Sequence, residues 1–153
     1  MADRRINVPK KHEDFVQKLT RSATTTGPFE TQADAIAFAA AWGARHSSWT
    51  EIEIGTRDPI RPEVFTRGGH DTLIHLLAFH KTKDVKVLAS TDEMEEARAS
   101  VFEGYAQAGL DHLELRLRGE VDYTEAILTQ IKMEATKDDE REGNIDIRNL
   151  LTG

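Results

Sequence analysis

Residues 90–109 read STDEMEEARASVFEGYAQAG. Ser90 followed three residues later by Glu93 has the form of a capping box, the start signal of a helix. Met94, Ala97, Val101, Phe102, Tyr105 and Ala108 then recur at spacings of three and four, which places them on one buried face. Gly109 stands where a helix C-cap is expected. This is the clearest helical signal in the chain, and the rest of the fold is read outward from it as mainly α.

Toward the C-terminus, Leu113, Leu115 and Leu117 alternate with Glu114, Arg116 and Arg118. The period fits a strand and the setting fits a helix, so the segment stays ambiguous. Asp122 and Glu125 predict a last helix start, with Ile127, Leu128 and Ile131 inside. After Met133 comes the charge run Lys137-Asp138-Asp139-Glu140-Arg141-Glu142, followed by Ile145, Ile147, Leu150 and Leu151. Residues 1–133 are read as a single globular domain and 134–153 as an acidic tail carrying a short apolar segment. Those four aliphatics are its candidate partner-binding residues, because an acidic spacer that regains apolar side chains suits a docking segment.

Toward the N-terminus, Asp71 opens a helix with Leu73, Leu76, Leu77 and His80 on one face. Pro62-Glu63-Val64-Phe65 reads as one helical turn with Pro at its first position. Residues 47–70 are otherwise irregular, with a short strand suggested by Trp49, Ile52 and Ile54. Thr31 before Asp34 starts an alanine-rich helix through Ala35, Ile36, Phe38, Ala39, Ala40 and Trp42, which belongs at the centre of the core. Lys10 to Leu19 reads as a helix, and Arg4-Arg5-Ile6-Asn7-Val8 as a short edge strand or arm ended by Pro9. The expected architecture is about five helices and one or two short strands in a single compact domain, with an N-terminal strand-helix-helix segment.

The order of these pieces resembles the DNA phosphorothioation-associated protein 4 family, also called Dnd system-associated protein 4. The blocks that carry the resemblance are Arg5-Ile6-Asn7-Val8-Pro9-Lys10, Pro28-Phe29-Glu30-Thr31 leading into Ala35-Ile36-Ala37-Phe38-Ala39-Ala40, Ile60-Arg61-Pro62-Glu63-Val64-Phe65, Asp71-Thr72-Leu73-Ile74-His75-Leu76, and Glu103-Gly104-Tyr105-Ala106-Gln107-Ala108-Gly109-Leu110. The resemblance implies an accessory protein of bacterial systems that replace a non-bridging phosphate oxygen of DNA with sulfur, some of which also restrict unmodified DNA such as that of phage. It implies other proteins of such a system as partners. It brings no catalytic residues.

The 153 residues carry a net charge of −7 and no cysteine. Disulfides and thiolate metal sites are excluded, and a cytoplasmic protein is expected. No apolar run approaches the roughly 20 residues needed to span a bilayer, so no membrane partner is expected. The charge is uneven. Residues 1–22 hold six bases and three acids, and residues 91–153 hold 16 acids and seven bases. A general nucleic-acid coat is ruled out, while a local basic patch at the N-terminus remains.

That patch gives the sharper functional expectation. Strand, helix, loop, helix is the ribbon-helix-helix order, in which two arms pair across a homodimer and enter the major groove of duplex DNA. Arg5 and Asn7 would face base edges, Lys10, Lys11 and the start of the second helix would hold phosphates, and Arg4 belongs to the same DNA-binding set. The alternative is a protein–protein adaptor that uses the acidic C-terminal half and tail. Catalysis has little support. His70, His75 and His80 recur every five residues, about 500° of helix, so they fan out and do not converge on a metal. No serine lies in a nucleophile elbow, and Gly68-Gly69 is no phosphate loop. Arg57, Asp58, Arg61 and Glu63 form the nearest charged cluster and read equally as a salt-bridged loop. We therefore expect no enzyme, no metal and no cofactor.

Overall fold

A computed structural model describes residues 4–46 and 48–152, with side chains described through Arg141. Six helices follow in order: α1 Glu13–Leu19, α2 Gln32–Arg45, α3 Pro62–Arg67, α4 Asp71–Thr82, α5 Asp92–Arg116 and α6 Tyr123–Thr152. Single 3-10 turns at Lys10–His12 and Val85–Leu88 precede α1 and α5. The fold is mainly α, as its sequence reads. The two short strands expected do not form among the described residues, where extended backbone pairs only as isolated bridges.

The helix starts follow local capping chemistry. The Thr31 hydroxyl accepts from the Asp34 N–H at 3.1 Å, Asp122 accepts from the Glu125 N–H at 3.2 Å, and Pro62 opens α3. At α5 the cap is Thr91, which accepts from the Met94 N–H at 3.2 Å, one residue later than the Ser90 box predicts. The alternating leucines resolve as helix: Leu113 and Leu115 lie within α5 and Leu117 is its C-cap.

α5 is the axis of the molecule. Every residue from Val101 to Leu110 is buried, so this stretch is enclosed around its whole circumference. α2 makes the largest interface with it. Gly109 does not end α5. It sits inside the helix because α2 crosses there: a Cβ at Gly109 would lie 1.8 Å from the Ala39 carbonyl oxygen, and one at Gly43 would lie 2.2 Å from that of Tyr105. Two helix backbones in direct contact leave no room for any side chain, which is why glycines and alanines face each other. Gly104 gives a third close approach. The Trp49 ring lies across it, with the indole N–H donating to the Val101 carbonyl at 3.1 Å.

Several positions expected inside are at the margin. Phe38 is only half-buried and stacks between Phe29 and Trp42 at centroid distances of 5.2 and 5.8 Å. α4 is rotated relative to the expected face: Leu77 and Ala78 are buried, whereas Leu76 and His80 are exposed. On α6, Ile127 is buried, but Leu128 and Ile131 are 46% and 41% exposed. Each such stripe is wider than the neighbour it meets, so only its centre is covered.

Gly109→Ala tests the crossing. Helix propensity alone favours Ala inside a helix by about 1 kcal/mol. The overlap with Ala39 forces the two helices apart, and overpacking of this kind costs about 1–3 kcal/mol or more. Packing should win. Thermal unfolding should show a lower Tm, by roughly 2–4 °C per kcal/mol for a domain of this size. A Tm equal to or above that of the wild type would place α2 and α5 farther apart than described.

Candidate functional site

The N-terminal arm lies extended along the body of the protein. Ile6 and Val8 point inward at 3% and 2% exposure, while Arg5 points out, as the alternation predicts. Its ladder partner is residues 54–60 of the same chain. Ile6 and Ile60 exchange both backbone bonds at 2.8 Å, the Thr56 N–H donates to the Val8 carbonyl at 2.9 Å, and the Lys10 N–H to that of Ile54 at 3.0 Å. On the opposite edge the Asn7 N–H donates to the Glu103 carboxylate at 2.5 Å. The Asn7 side chain lies over Gly55. The central part of the arm is thus engaged on both edges, whereas ribbon-helix-helix pairing needs one edge free for a second copy.

The cations of the arm have separate fates. Arg4 spans two acids of α5: Nη2 and Nη1 meet Glu103 at 2.8 and 3.1 Å, and Nε meets Glu96 at 2.6 Å. The hydrogen bonds that Arg4 donates to Glu103 raise its pKa, against the opposing effect of burial. Lys11 Nζ meets Asp111 at 2.7 Å. The buried His12 is held between the same Asp111, 2.6 Å from Nε2, and Glu114 at Nδ1. Burial pushes the Asp111 carboxyl up, but bonds from Lys11 and His12 outweigh it and leave the pKa below the usual range. Arg5 and Lys10 are exposed and have no ion-pair partner among the described residues.

These anchors share one stripe. At 100° per residue, Glu96, Glu103, Gln107, Asp111 and Glu114 fall within an arc of about 80° on α5. The N-terminal arm lies along that arc. The sequence does not single these acids out as a group, since they fall within the general acidity of residues 91–153. The available signal was Glu103 itself, flanked by Phe102, Gly104 and Tyr105 in a helix with apolar residues on every side. An acid there must be paired to be buried.

A second cluster fastens α6 to α2 and α5. Arg45 reaches Glu134 at 3.1 Å and Asp138 at 2.8 Å, and His46 Nε2 lies 3.2 Å from Glu134. The His46 ring stacks at 4.6 Å on His112, whose Nδ1 accepts from the Trp42 indole at 2.8 Å. Burial lowers the His112 pKa, and the charges of Arg116 and His46 lower it further. Arg116 also donates to Gln130 at 2.9 Å. α6 therefore continues as one helix past Met133, with Glu134 and Asp138 engaged on the body. Away from those contacts Leu128, Ile131 and Met133 are exposed, Leu128 with the other two on its flanks. The helix backbone carries on to Thr152, but the side chains of Ile145, Ile147, Leu150 and Leu151 lie outside the described residues.

The remaining histidines diverge. His70 Nε2 meets Asp34 at 2.7 Å, His75 Nδ1 bonds the backbone carbonyl of Asp71 at 2.7 Å, and His80 lies against the Tyr105 ring at 6.3 Å. Among the described residues no group of three or more His, Asp or Glu side chains is placed to hold a metal ion. No salt bridge joins Arg57, Asp58, Arg61 and Glu63 among them either. No helix of the described chain is long and apolar enough to cross a membrane.

The α6 fastening carries a pH prediction. Burial pushes the Glu134 carboxyl up, yet hydrogen bonds from Arg45 and His46 overcome this and hold its pKa at about 2, against an ordinary 4.5. A depressed folded-state pKa stabilises above the unfolded value and loses that contribution as pH falls toward the folded one. The Tm difference between wild type and Glu134→Gln should be constant above about pH 4.5 and shrink steadily toward pH 2. A gap that does not shrink in this window would show that Glu134 is not held as a carboxylate.

No curated protein and no solved structure matches the chain. The family model described as DNA sulphur modification system-associated protein 4 matches residues 5–150, which takes in the arm from Arg5 onward, all the acids that hold the arm, and nearly the whole of α6. The chain belongs to the DNA sulphur modification system-associated protein 4 family and is thereby associated with a DNA sulphur-modification system.

Proposed function

We propose that this protein is a non-enzymatic cytoplasmic accessory factor that docks another protein of the sulphur-modification machinery, in a setting where modification is coupled to restriction of unmodified, for example phage, DNA. The observation that carries this reading is the fate of the arm. Arg4 and Lys11, two of the cations a DNA-reading arm would spend on phosphates, are bound to carboxylates of α5. Moving Arg4 to a phosphate would leave Glu103, which is 2% exposed, without its counter-ion, and breaking such a pair costs several kcal/mol. A single phosphate contact gives back less than that at physiological salt.

The docking surface in this reading is the open side of α6. Leu128 is exposed there, with exposed Ile131 and Met133 on its two flanks and Asp139 and Glu140 farther along the same helix. Exposed apolar side chains set among acids suit a partner that offers apolar anchors beside basic residues. Ile145, Ile147, Leu150 and Leu151 extend the same helix in sequence. Duplex DNA is the second reading, favoured by one observation: Arg5 and Lys10 are exposed and unpaired among the described residues.

The test is co-purification of the tagged full chain with the other proteins of its system, with and without nuclease, beside a mobility-shift assay on duplex DNA at low salt. We expect a system protein to be retained after nuclease treatment and lost on deletion of residues 142–153 or on Leu128→Glu. The deletion keeps Glu134 and Asp138, so α6 stays fastened and Tm should hold. If retention instead requires DNA, and a salt-sensitive shift disappears in Arg5→Ala with Lys10→Ala, the adaptor reading falls and the DNA reading replaces it.

A further inference from the structure

A cleft of about 490 Å³ opens between the arm, α3, α4 and the start of α5, a volume suited to one small molecule. Its walls are apolar where Ile6, Pro62, Ile74 and Ala99 meet. Arg98 also lines it, and this side chain is 93% buried, at 7% exposure. Nη1 of Arg98 donates to two backbone carbonyls, those of Val87 at 2.7 Å and Ala89 at 2.8 Å. Its Nε and Nη2 have no acceptor, and the guanidinium has no carboxylate in ion-pair range, among the described residues. No buried polar side-chain atom of the described residues is left without a partner, so Nε and Nη2 keep some contact with solvent. The Nε–Nη2 edge is the one that takes a carboxylate side-on through two parallel bonds.

Three acids line the same cleft: Glu63, Asp71 and Glu95. None of their carboxylates makes a salt bridge among the described residues. Glu95 stands one helical turn before Arg98, at a spacing where such pairs form readily, yet Arg98 turns instead to the 3-10 segment. The cleft thus holds one unpaired buried cation and three unpaired acids that do not satisfy one another. Arg4 contributes no free charge, because Glu96 and Glu103 occupy it.

We propose that this cleft binds a small zwitterion of the apolar α-amino-acid class. The carboxylate lies on the Nε–Nη2 edge of Arg98, the ammonium faces Glu63, Asp71 and Glu95, and the apolar side chain lies against Ile6, Pro62 and Ile74. A guanidinium with limited solvent contact and no counter-ion gains from a ligand carboxylate on its unbonded edge. The acids disfavour a phosphate or a nucleic-acid backbone, since each would place like charges together.

The experiment is titration of the full chain with L-leucine, hexanoate and inorganic phosphate, read by calorimetry and by thermal shift. L-Leucine should bind in the millimolar range or tighter and raise Tm. Hexanoate, which lacks the ammonium, should bind at least about tenfold more weakly, and phosphate more weakly still. Glu95→Gln with Glu63→Gln should weaken leucine but not hexanoate. Arg98→Gln should abolish binding. Because Arg98 also holds the 3-10 segment, Thr66→Trp is the second variant: Thr66 is exposed on α3 at the cleft wall, so a large ring there fills the space without touching the core. Thr66→Trp should fold as the wild type does and bind no leucine. The proposal is overturned by absence of leucine binding at about 10 mM, by undiminished binding in Thr66→Trp, or by hexanoate or phosphate binding as tightly as leucine.

Discussion

The crossing of α2 over α5 is the constraint from which the rest of the structure follows. Gly43 and Gly109 bring the two backbones into contact, and the alanines around them keep the interface thin. A thin interface lets other elements reach α5 from its remaining sides, so α5 ends up enclosed by α2, α4, the arm and the loop that carries Trp49. Its ten consecutive buried residues are the outcome. The helix accepts two internal glycines, each costing about 1 kcal/mol in propensity, because close packing returns more than that.

Enclosure of α5 then decides the electrostatics. Acids on a central helix cannot all face water, and those on the arm-facing arc take cations from the opposite end of the chain. The positive N-terminus and the acidic C-terminal half therefore meet within the molecule at Arg4, Lys11 and His12. The same principle fastens α6, where Glu134 is drawn down by Arg45 and His46. Arg98 is the exception. It is 7% exposed but bonds only backbone carbonyls, and its side chain lines a cleft. A charge left over in an otherwise fully paired interior points to a ligand more directly than any cluster of exposed charge.

These pairings also bear on which surfaces are open to partners. An arm bonded on both edges is part of the body, and its two exposed cations, Arg5 and Lys10, stand five residues apart along it. The open side of α6 combines apolar side chains with acids over a longer stretch. Family membership fixes the biological setting, and the geometry ranks the surfaces within it.

Sequence by itself determined what depends on neighbours a few residues apart. The starts at Thr31, Pro62, Asp71 and Asp122, the inward Ile6 and Val8, and the mainly helical class are set by caps and periodicity, interactions that close within one or two turns. The same local reading placed the α5 cap one residue early and took Gly109 for a C-cap, because a glycine that ends a helix and one that admits a second helix look alike in one dimension. The family blocks were equally legible. What only the tertiary structure decided lies at long range. The partners of Arg4 and His12 stand 92 to 102 residues away, so no local pattern joins them. The burial of Leu76, Leu128 and Ile131 depended on how much of each helix its neighbour covered. The free edge of Arg98 became visible only when the acids one turn away and across the cleft proved to be turned from it.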